Sequence, residues 1–291
     1  MKIIDLMATD DPFLSLEFFP PKEQAARPGF EKQLEGLAQL SPLFVSVTYG
    51  AGGGSRANTL GAAARMKERF GFTSMAHLTC IGATEDSITA FVRELRSAGI
   101  KNILALRGDL PQGAKLPDNP AFSYASDLME FIAARWPDMG LAAACYPEAH
   151  PESATIVEDL EWTRRKFNSG ADFGLTQLFF DARRYHDFTA RLRQMGVTNP
   201  IIPGVLPLLN MRSLHRILSL CGASIPVNMY LELREAEKQG GPEAVKSKGI
   251  EMAQNQIREL LENGAPGIHL YTLNNAEACL RIMKGVPELR A

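Results

Sequence analysis

Short apolar, β-rich runs alternate along the whole chain with longer stretches in which apolar positions recur at helical spacing. The short runs fall at 14–18, 44–48, 73–78, 103–106, 141–145, 173–177, 201–205 and 267–271. Helical patterns cover 59–70, 85–98, 126–136, 156–169, 182–195 and 244–263. Several of them stop at glycine, the residue type that most readily ends a helix, namely Gly71, Gly99, Gly170, Gly196 and Gly264. That alternation is the pattern of repeated βα units with a parallel sheet. Eight strands, with no linker rich in Pro, Gly or Ser between them, predict an α/β fold built as a single (β/α)8 TIM barrel over residues 1–291. The polar, glycine-containing stretch 231–245 reads as an irregular insertion before the last long helix.

Composition narrows the function without naming it. At 45% hydrophobic and 22% charged residues the chain carries enough apolar material for a sizeable core, so disorder is excluded. The net charge of −2, without a basic cluster interleaved with aromatics, excludes a nucleic-acid partner. The N-terminal apolar stretch is too short for a signal peptide. The run IIPGVLPLL at 201–209 is far below a membrane span, so no membrane partner and a cytoplasmic location are expected. Cys80, Cys145, Cys221 and Cys279 form no CxxC pair, and no Cys/His cluster has metal-ligand spacing. Buried thiols are expected, with neither a disulfide framework nor a metal site.

In such a barrel the active site is assembled at the carboxyl ends of the strands, which makes polar residues there candidates for chemistry. Strand by strand, these are Glu17; Thr48 and Tyr49; His77; Arg107, Gly108 and Asp109; Tyr146, Glu148 and His150; Gln177; and Tyr271, Thr272 and Asn274. Glu17 has apolar neighbours in Leu16, Phe18 and Phe19, which predicts desolvation that keeps its carboxyl protonated and able to donate. The competing reading is a salt-bridged barrel carboxylate. Arg107, Gly108 and Asp109 suit an anionic cofactor, or equally an ordinary turn with an ion pair. His77 and His150 read locally as packing histidines. Arg164, Arg165 and Lys166, near Asp159, form either a solvated face or a phosphate contact. The glycine-rich segment 50–55 approaches a dinucleotide fingerprint but has Ser55 in place of the third glycine, and no acidic residue follows at Rossmann spacing.

Taken together, LEFFPPK (16–22), FVSVTYGAGG (44–53), AHLTC (76–80), ALRGDLP (105–111), YASDL (124–128), CYPEAHPE (145–152), TQLFFD (176–181), IIPGVLP (201–207) and HLYTLN (269–274) resemble the methylenetetrahydrofolate reductase family over nearly the whole chain. The resemblance implies a (β/α)8 barrel that binds FAD and takes NADH or NADPH as electron donor. It implies two half-reactions at one flavin: NAD(P)H reduces it, and hydride then passes to 5,10-methylenetetrahydrofolate, giving 5-methyltetrahydrofolate. By the same matching Glu17 is the general acid that protonates the departing folate nitrogen, and Asp109 lies beside flavin and pterin. Gln177 binds folate, with Glu17 and Asp109. FAD-contacting positions are Thr48, Tyr49, Ala51, His77, Arg107, Gly108, Asp109, Tyr124, Ala125, Tyr146, His150, Asp159, Arg165 and Lys166. A homo-oligomer is also implied.

Four positions depart from the family pattern. Asn275 follows YTLN where an arginine is usual, which changes the expected contact to the folate tail. Ser213 and Ile217 stand where a glutamine and an aromatic support the nicotinamide cofactor, and Trp162 replaces an asparagine that contacts FAD. These departures keep two alternatives open beside the reductase: a 5-methyltetrahydrofolate oxidase with an altered electron partner, and a non-catalytic flavin- or folate-binding barrel. A lyase or aldolase would need a Schiff-base lysine or a metal site at a strand end, and neither is found there.

Overall fold

The structure is a computed structural model that describes residues 1–8, 11–49, 56–109 and 119–289, with the backbone alone at 215, 219 and 220. Its strands are β1 (Phe13–Phe18), β2 (Phe44–Val47), β3 (Ser74–Thr79), β4 (Asn102–Leu106), β5 (Gly140–Cys145), β6 (Phe173–Thr176), β7 (Ile201–Ile202), β8 (Gly204–Val205) and β9 (Gly267–Tyr271). They pair in parallel in the order β7-β6-β5-β4-β3-β2-β1-β9-β8. The run 201–205 is one strand interrupted at Pro203, which has no N–H to give to a ladder. Its first half pairs with β6 and its second half with β9, so the two ends of the sheet meet within one strand and the ring closes. The His269 N–H donates to the Pro203 carbonyl at 2.9 Å across that closure. The result is the eight-stranded α/β barrel, its seventh strand split.

The surrounding helices are α1 (Ile3–Leu6), α2 (Arg27–Ala38), α3 (Arg56–Phe70), α4 (Glu85–Ser97), α5 (Ala125–Arg135), α6 (Ile156–Asn168), α7 (Ala182–Gln194), α8 (Met211–Cys221), α9 (Val227–Glu262) and α10 (Ala276–Lys284). All five stop glycines adopt positive φ, as the sequence pattern predicts. The stretch 231–245, expected to be irregular, is instead helical and lies inside α9. Its Leu, Glu, Arg, Ala and Lys residues are good helix formers, and only Gly240 (φ −146°) and Gly241 (φ 62°) break the helix, just before Pro242.

Strand alternation separates two chemistries. Leu14, Leu16 and Phe18 of β1 join the layer between sheet and helices, packed with Leu34 and Leu37 of α2 and Ile282 of α10. Each such side chain contributes about 1.5–3 kcal/mol by leaving water. The positions between them, Ser15 and Glu17, face the barrel interior. At the amino end that interior is apolar: Ile3, Phe44, Met75, Leu104 and Phe173 form a separate cluster, and α1 is tied to it by the Ile3 N–H donating to Asn102 Oδ1 at 2.8 Å. At the carboxyl end it is polar. Among the described residues no helix is long and apolar enough to cross a membrane.

Candidate active site

Glu17 sits in the polar half of the barrel, buried, with three partners from three other strands. Its Oε2 accepts from Ser46 Oγ at 3.3 Å and lies 3.4 Å from Nε2 of both His269 and His77. The register explains the assembly, because Glu17 pairs with Ser46 on one side and Tyr271 on the other, and Ser15 pairs with His269. The Glu17 carbonyl accepts from Thr272 Oγ1 at 2.6 Å. Asn274, at φ 53°, bridges Phe19 by accepting its N–H at 3.1 Å and donating to its carbonyl at 2.6 Å. The loops after β1 and β9 thereby hold the acid in place.

The environment of Glu17 is set by residues distant in sequence and not by its chain neighbours. Leu16 and Phe18 point outward, so they do not desolvate the carboxyl. Burial in the barrel does push its pKa up, but the His269 hydrogen bond, the positive charge that His77 and His269 can carry, and the Ser46 hydroxyl outweigh it, and the pKa lies below the ordinary 4.5. Burial lowers His77, partly opposed by the Glu17 charge, and its Nε2 has no hydrogen bond despite its nearness to Oε2. Glu17 is therefore ionised at neutral pH in this arrangement.

The hydrogen-bond inventory shows how such a carboxylate can still carry a proton. Ser15 Oγ lies 2.8 Å from His269 Nδ1 and 3.1 Å from the Ile268 carbonyl. With Glu17 ionised, the Ser15 hydroxyl donates to Nδ1, and Nε2–H donates to the carboxylate. With Glu17 protonated, the Ser15 hydroxyl turns to the Ile268 carbonyl and accepts from Nδ1–H, while the Glu17 hydroxyl donates to Nε2. Each of the three side chains keeps a hydrogen-bond partner within the set or at the Ile268 carbonyl in both forms, so protonating Glu17 leaves none of them unpaired. The geometry of Glu17, His269 and Ser15 thus accommodates a proton on the carboxyl without breaking the set's hydrogen bonds.

On another side of the barrel mouth, a cavity opens between the carboxyl ends of β4 and β5 and the amino ends of α5 and α6. It brings together Arg107, Tyr124, Ala125, Tyr146, His150, Asp159 and Lys166 of the expected cofactor set. Thr155 caps α6 by accepting the Glu158 N–H at 3.1 Å, and two helix amino termini beside the cavity favour negative charge. Arg107 meets Glu152 at 2.7 Å, Nη1 to Oε2. Lys166 donates from Nζ to the Ala144 carbonyl at 2.6 Å, and burial lowers its pKa. Asp159, buried, accepts from the His150 N–H at 3.2 Å and from Ser153 Oγ at 2.9 Å through Oδ1. Its Oδ2 has no partner, and neither has Thr163 Oγ1. Cations, helix ends and a buried acceptor fit a polyhydroxylated, phosphate-bearing group such as FAD.

The other expected residues lie elsewhere in the upper barrel. Thr48 is buried at the end of β2, its carbonyl accepting from Thr59 Oγ1 at 3.2 Å. Tyr49 follows it, half-buried, and Ala51 lies outside the described residues. Gly108 has φ +82°, and an added Cβ would come within 3.0 Å of Thr79, so glycine is required for the turn that carries Arg107 and Asp109. Asp109 is exposed, and its charge reaches Arg107 and Tyr146. Arg165 faces outward, 3.7 Å from Asp127. Gln177 is half-buried after β6, its own Oε1 accepting from the Leu178 N–H at 2.9 Å. Ser213 lies in the first turn of α8, its N–H donating to the capping Asn210 Oδ1 at 2.7 Å and its hydroxyl to the Asn210 carbonyl at 3.0 Å, whereas Asn275 itself caps α10, its Oδ1 accepting from the Ala278 N–H at 3.0 Å. Ile217 packs against the apolar cluster of Leu206, Leu208 and Leu214. Among the described residues no group of three or more His, Cys, Asp or Glu is placed to hold a metal ion.

Glu17 and His77 set a pH dependence of stability. Glu17 and His77 both have folded pKa values below their ordinary 4.5 and 6.5, so the unfolded chain binds protons at each site more readily than the folded one. The stability from each is complete above its ordinary value and is lost as pH falls. The melting temperature is expected to decline as pH drops below 6.5, and His77→Asn to remove much of the first part of that decline. Parallel declines of wild type and variant between pH 7 and 5 would show that His77 carries none of it.

The chain matches the family model for methylenetetrahydrofolate reductase over residues 2–287. It is 36% identical over 264 residues to the 5,10-methylenetetrahydrofolate reductase of Salmonella typhimurium, covering 91% of this chain and 87% of that one. It is 33% identical over 299 residues to methylenetetrahydrofolate reductase (NADH) 1 of Arabidopsis thaliana, covering 97% of this chain and 50% of the plant protein. A solved structure of an uncharacterized protein from Clostridium thermocellum, which binds two copies of 5-methyl-5,6,7,8-tetrahydrofolic acid, superposes with a TM-score of 0.69 at 15% identity, over 97% of this chain and 98% of that one. That likeness is one of fold.

Proposed function

Because this chain belongs to the methylenetetrahydrofolate reductase family, we propose that it reduces 5,10-methylenetetrahydrofolate to 5-methyltetrahydrofolate, with FAD in the cavity between β4, β5, α5 and α6 and NADH or NADPH as electron donor. The observation that carries this reading is the set of Glu17, His269 and Ser15 at the carboxyl end of a barrel whose same end carries a cavity suited to a phosphate-bearing cofactor. When bound, FAD would supply a two-electron carrier through which one hydride equivalent passes from nicotinamide to folate.

The protein's part is to make the folate electrophilic. Breaking the bond between the methylene carbon and one folate nitrogen sends the electron pair to that nitrogen, and Glu17 supplies its proton. A folate ring over the barrel mouth excludes water from Glu17, which favours the protonated form and readies it to donate. The cation left on the other nitrogen accepts hydride at the methylene carbon, giving the methyl group. Asp109 supplies negative charge near that cation, and Gln177 hydrogen-bonds the folate. Arg107 holds the cofactor's phosphates, the carboxylate of Asp159 accepts from its hydroxyl groups, and Lys166 adds positive charge.

The visible spectrum of the purified protein tests the cofactor half of the reading. Added FAD is expected to bind with a perturbed flavin spectrum that bleaches anaerobically with NADH or NADPH; a preparation that takes up no FAD contradicts it. The packing of Ile217 against the apolar cluster of Leu206 and Leu208 favours a second reading, operation as a 5-methyltetrahydrofolate oxidase with another electron acceptor. Saturation by NADH at the concentrations ordinary reductases need would remove it.

A further inference from the structure

At the outer end of the same cavity, Trp162 of α6 stacks on Tyr124, with ring centroids 4.5 Å apart and planes inclined by 28°. The guanidinium carbon of Arg165 lies 5.4 Å from the indole centroid. Tyr124 is 42% exposed, and its backbone is fixed because Asp127 Oδ2 accepts the N–H groups of Ser123 and Tyr124 at 2.9 and 3.0 Å. Backbone capping and the indole together hold the exposed ring rigid. Two stacked rings beside a guanidinium offer a planar, polarisable surface of the kind that binds purines, since every base presents a π-face and the stacking surface loses little freedom on binding.

Position in the barrel selects which part of a ligand reaches this surface. α6 follows β5, four strands from β1 in either direction round the ring, so Trp162 stands across the barrel from Glu17. A reacting ring must lie near Glu17, and the charges of Arg107 and Lys166 border the cavity between. A dinucleotide laid along this path puts its reactive ring at the barrel axis, its phosphates at the cations and its adenine at the aromatic pair. We propose that Trp162 is a specificity-determining residue: with Tyr124 it forms an adenine-stacking shelf that makes the protein select FAD over FMN. The inference rests on reading the cavity as a flavin dinucleotide pocket, and it assigns Trp162 a binding role at a position where the family usually has asparagine.

The chain has two tryptophans, and the other, Trp136, is buried against Phe131 away from the cavity lining, so a change in emission on ligand binding that is lost in Trp162→Phe reports on the shelf. The whole chain, stripped of bound nucleotide, is titrated with ADP, FMN and FAD as wild type, Trp162→Phe and Trp162→Asn. ADP is expected to quench wild-type emission and to leave that of Trp162→Phe nearly unchanged. Loss of stacking in Trp162→Asn is expected to weaken ADP and FAD at least about tenfold, with Trp162→Phe within about threefold of wild type and FMN affinity alike in all three. Equal affinity of wild type and Trp162→Asn for ADP and FAD would overturn the shelf while leaving the flavin reading intact. Trp162-dependent binding of ADP without uptake of FAD would uphold the shelf and overturn the flavin reading.

Discussion

Replacing Glu17 with glutamine is expected to slow folate-dependent reoxidation of the reduced protein by about 10²- to 10⁴-fold, the usual contribution of a positioned general acid. FAD uptake and bleaching by the electron donor should stay close to wild type, because neither needs the proton. The amide keeps the size of the side chain and can donate to His269 Nε2, so the hydrogen bonds that organise the barrel mouth survive. It has no proton to give to a departing nitrogen. Stopped-flow measurement of the two half-reactions separates the effects, and a folate step within tenfold of wild type would remove Glu17 from the chemistry.

The second large effect is structural. Gly249 in the C-terminal half of α9 packs so closely that an added Cβ would lie 1.8 Å from the Leu208 carbonyl oxygen and 2.7 Å from its carbon. Both are backbone atoms, so nothing can swing aside, and Gly249→Ala must push α9 away from the segment that leads from β8 to α8. The cost is expected to be about 3 kcal/mol or more, a fall in melting temperature of roughly 6–12 °C for a protein of this size. The displaced segment carries Leu206 and Leu208, on which Ile217 and Leu214 pack, so α8 should loosen as well. Thermal unfolding checks the first expectation and proteolysis within α8 the second. A melting temperature within about 2 °C of wild type would mean that α9 is not seated as described.

Much of the architecture was legible in the chain because its signals are local. Eight apolar runs, helical periods and glycine stops each depend on residues within one element, and all reappear in the barrel. The split at Pro203 was legible in principle, since a proline inside a strand must interrupt the ladder. The stretch 231–245 was misread because its polarity and glycines outweighed the helix-forming residues that precede Gly240. What the chain conceals is partnership across the ring. Ser15 and Glu17 meet His269 over sequence separations of 254 and 252, and nothing in the spacing of the three residues marks them as partners. The available signal was alternation: Ser15, Glu17, His269 and Tyr271 share inward positions on two adjacent strands.

The same alternation corrects the environment of Glu17. Leu16 and Phe18 are its neighbours along the chain and point to the opposite face, whereas Ser46, His77 and His269 are distant in sequence and surround it. Arg165 and Lys166 divide similarly. Successive residues on a helix diverge by about 100°, which turns Lys166 to the cavity and Arg165 toward Asp127. A basic pair in the sequence is therefore two separate contacts in space.

The central claim is that this barrel delivers a proton and hydride to a folate methylene group. The most direct test is to photoreduce the FAD-loaded protein, which bypasses the question of its natural donor, and mix it anaerobically with 5,10-methylenetetrahydrofolate. Reoxidation of the flavin with one 5-methyltetrahydrofolate formed per flavin is the expected result; a flavin that stays reduced while the folate is recovered unchanged would contradict the account.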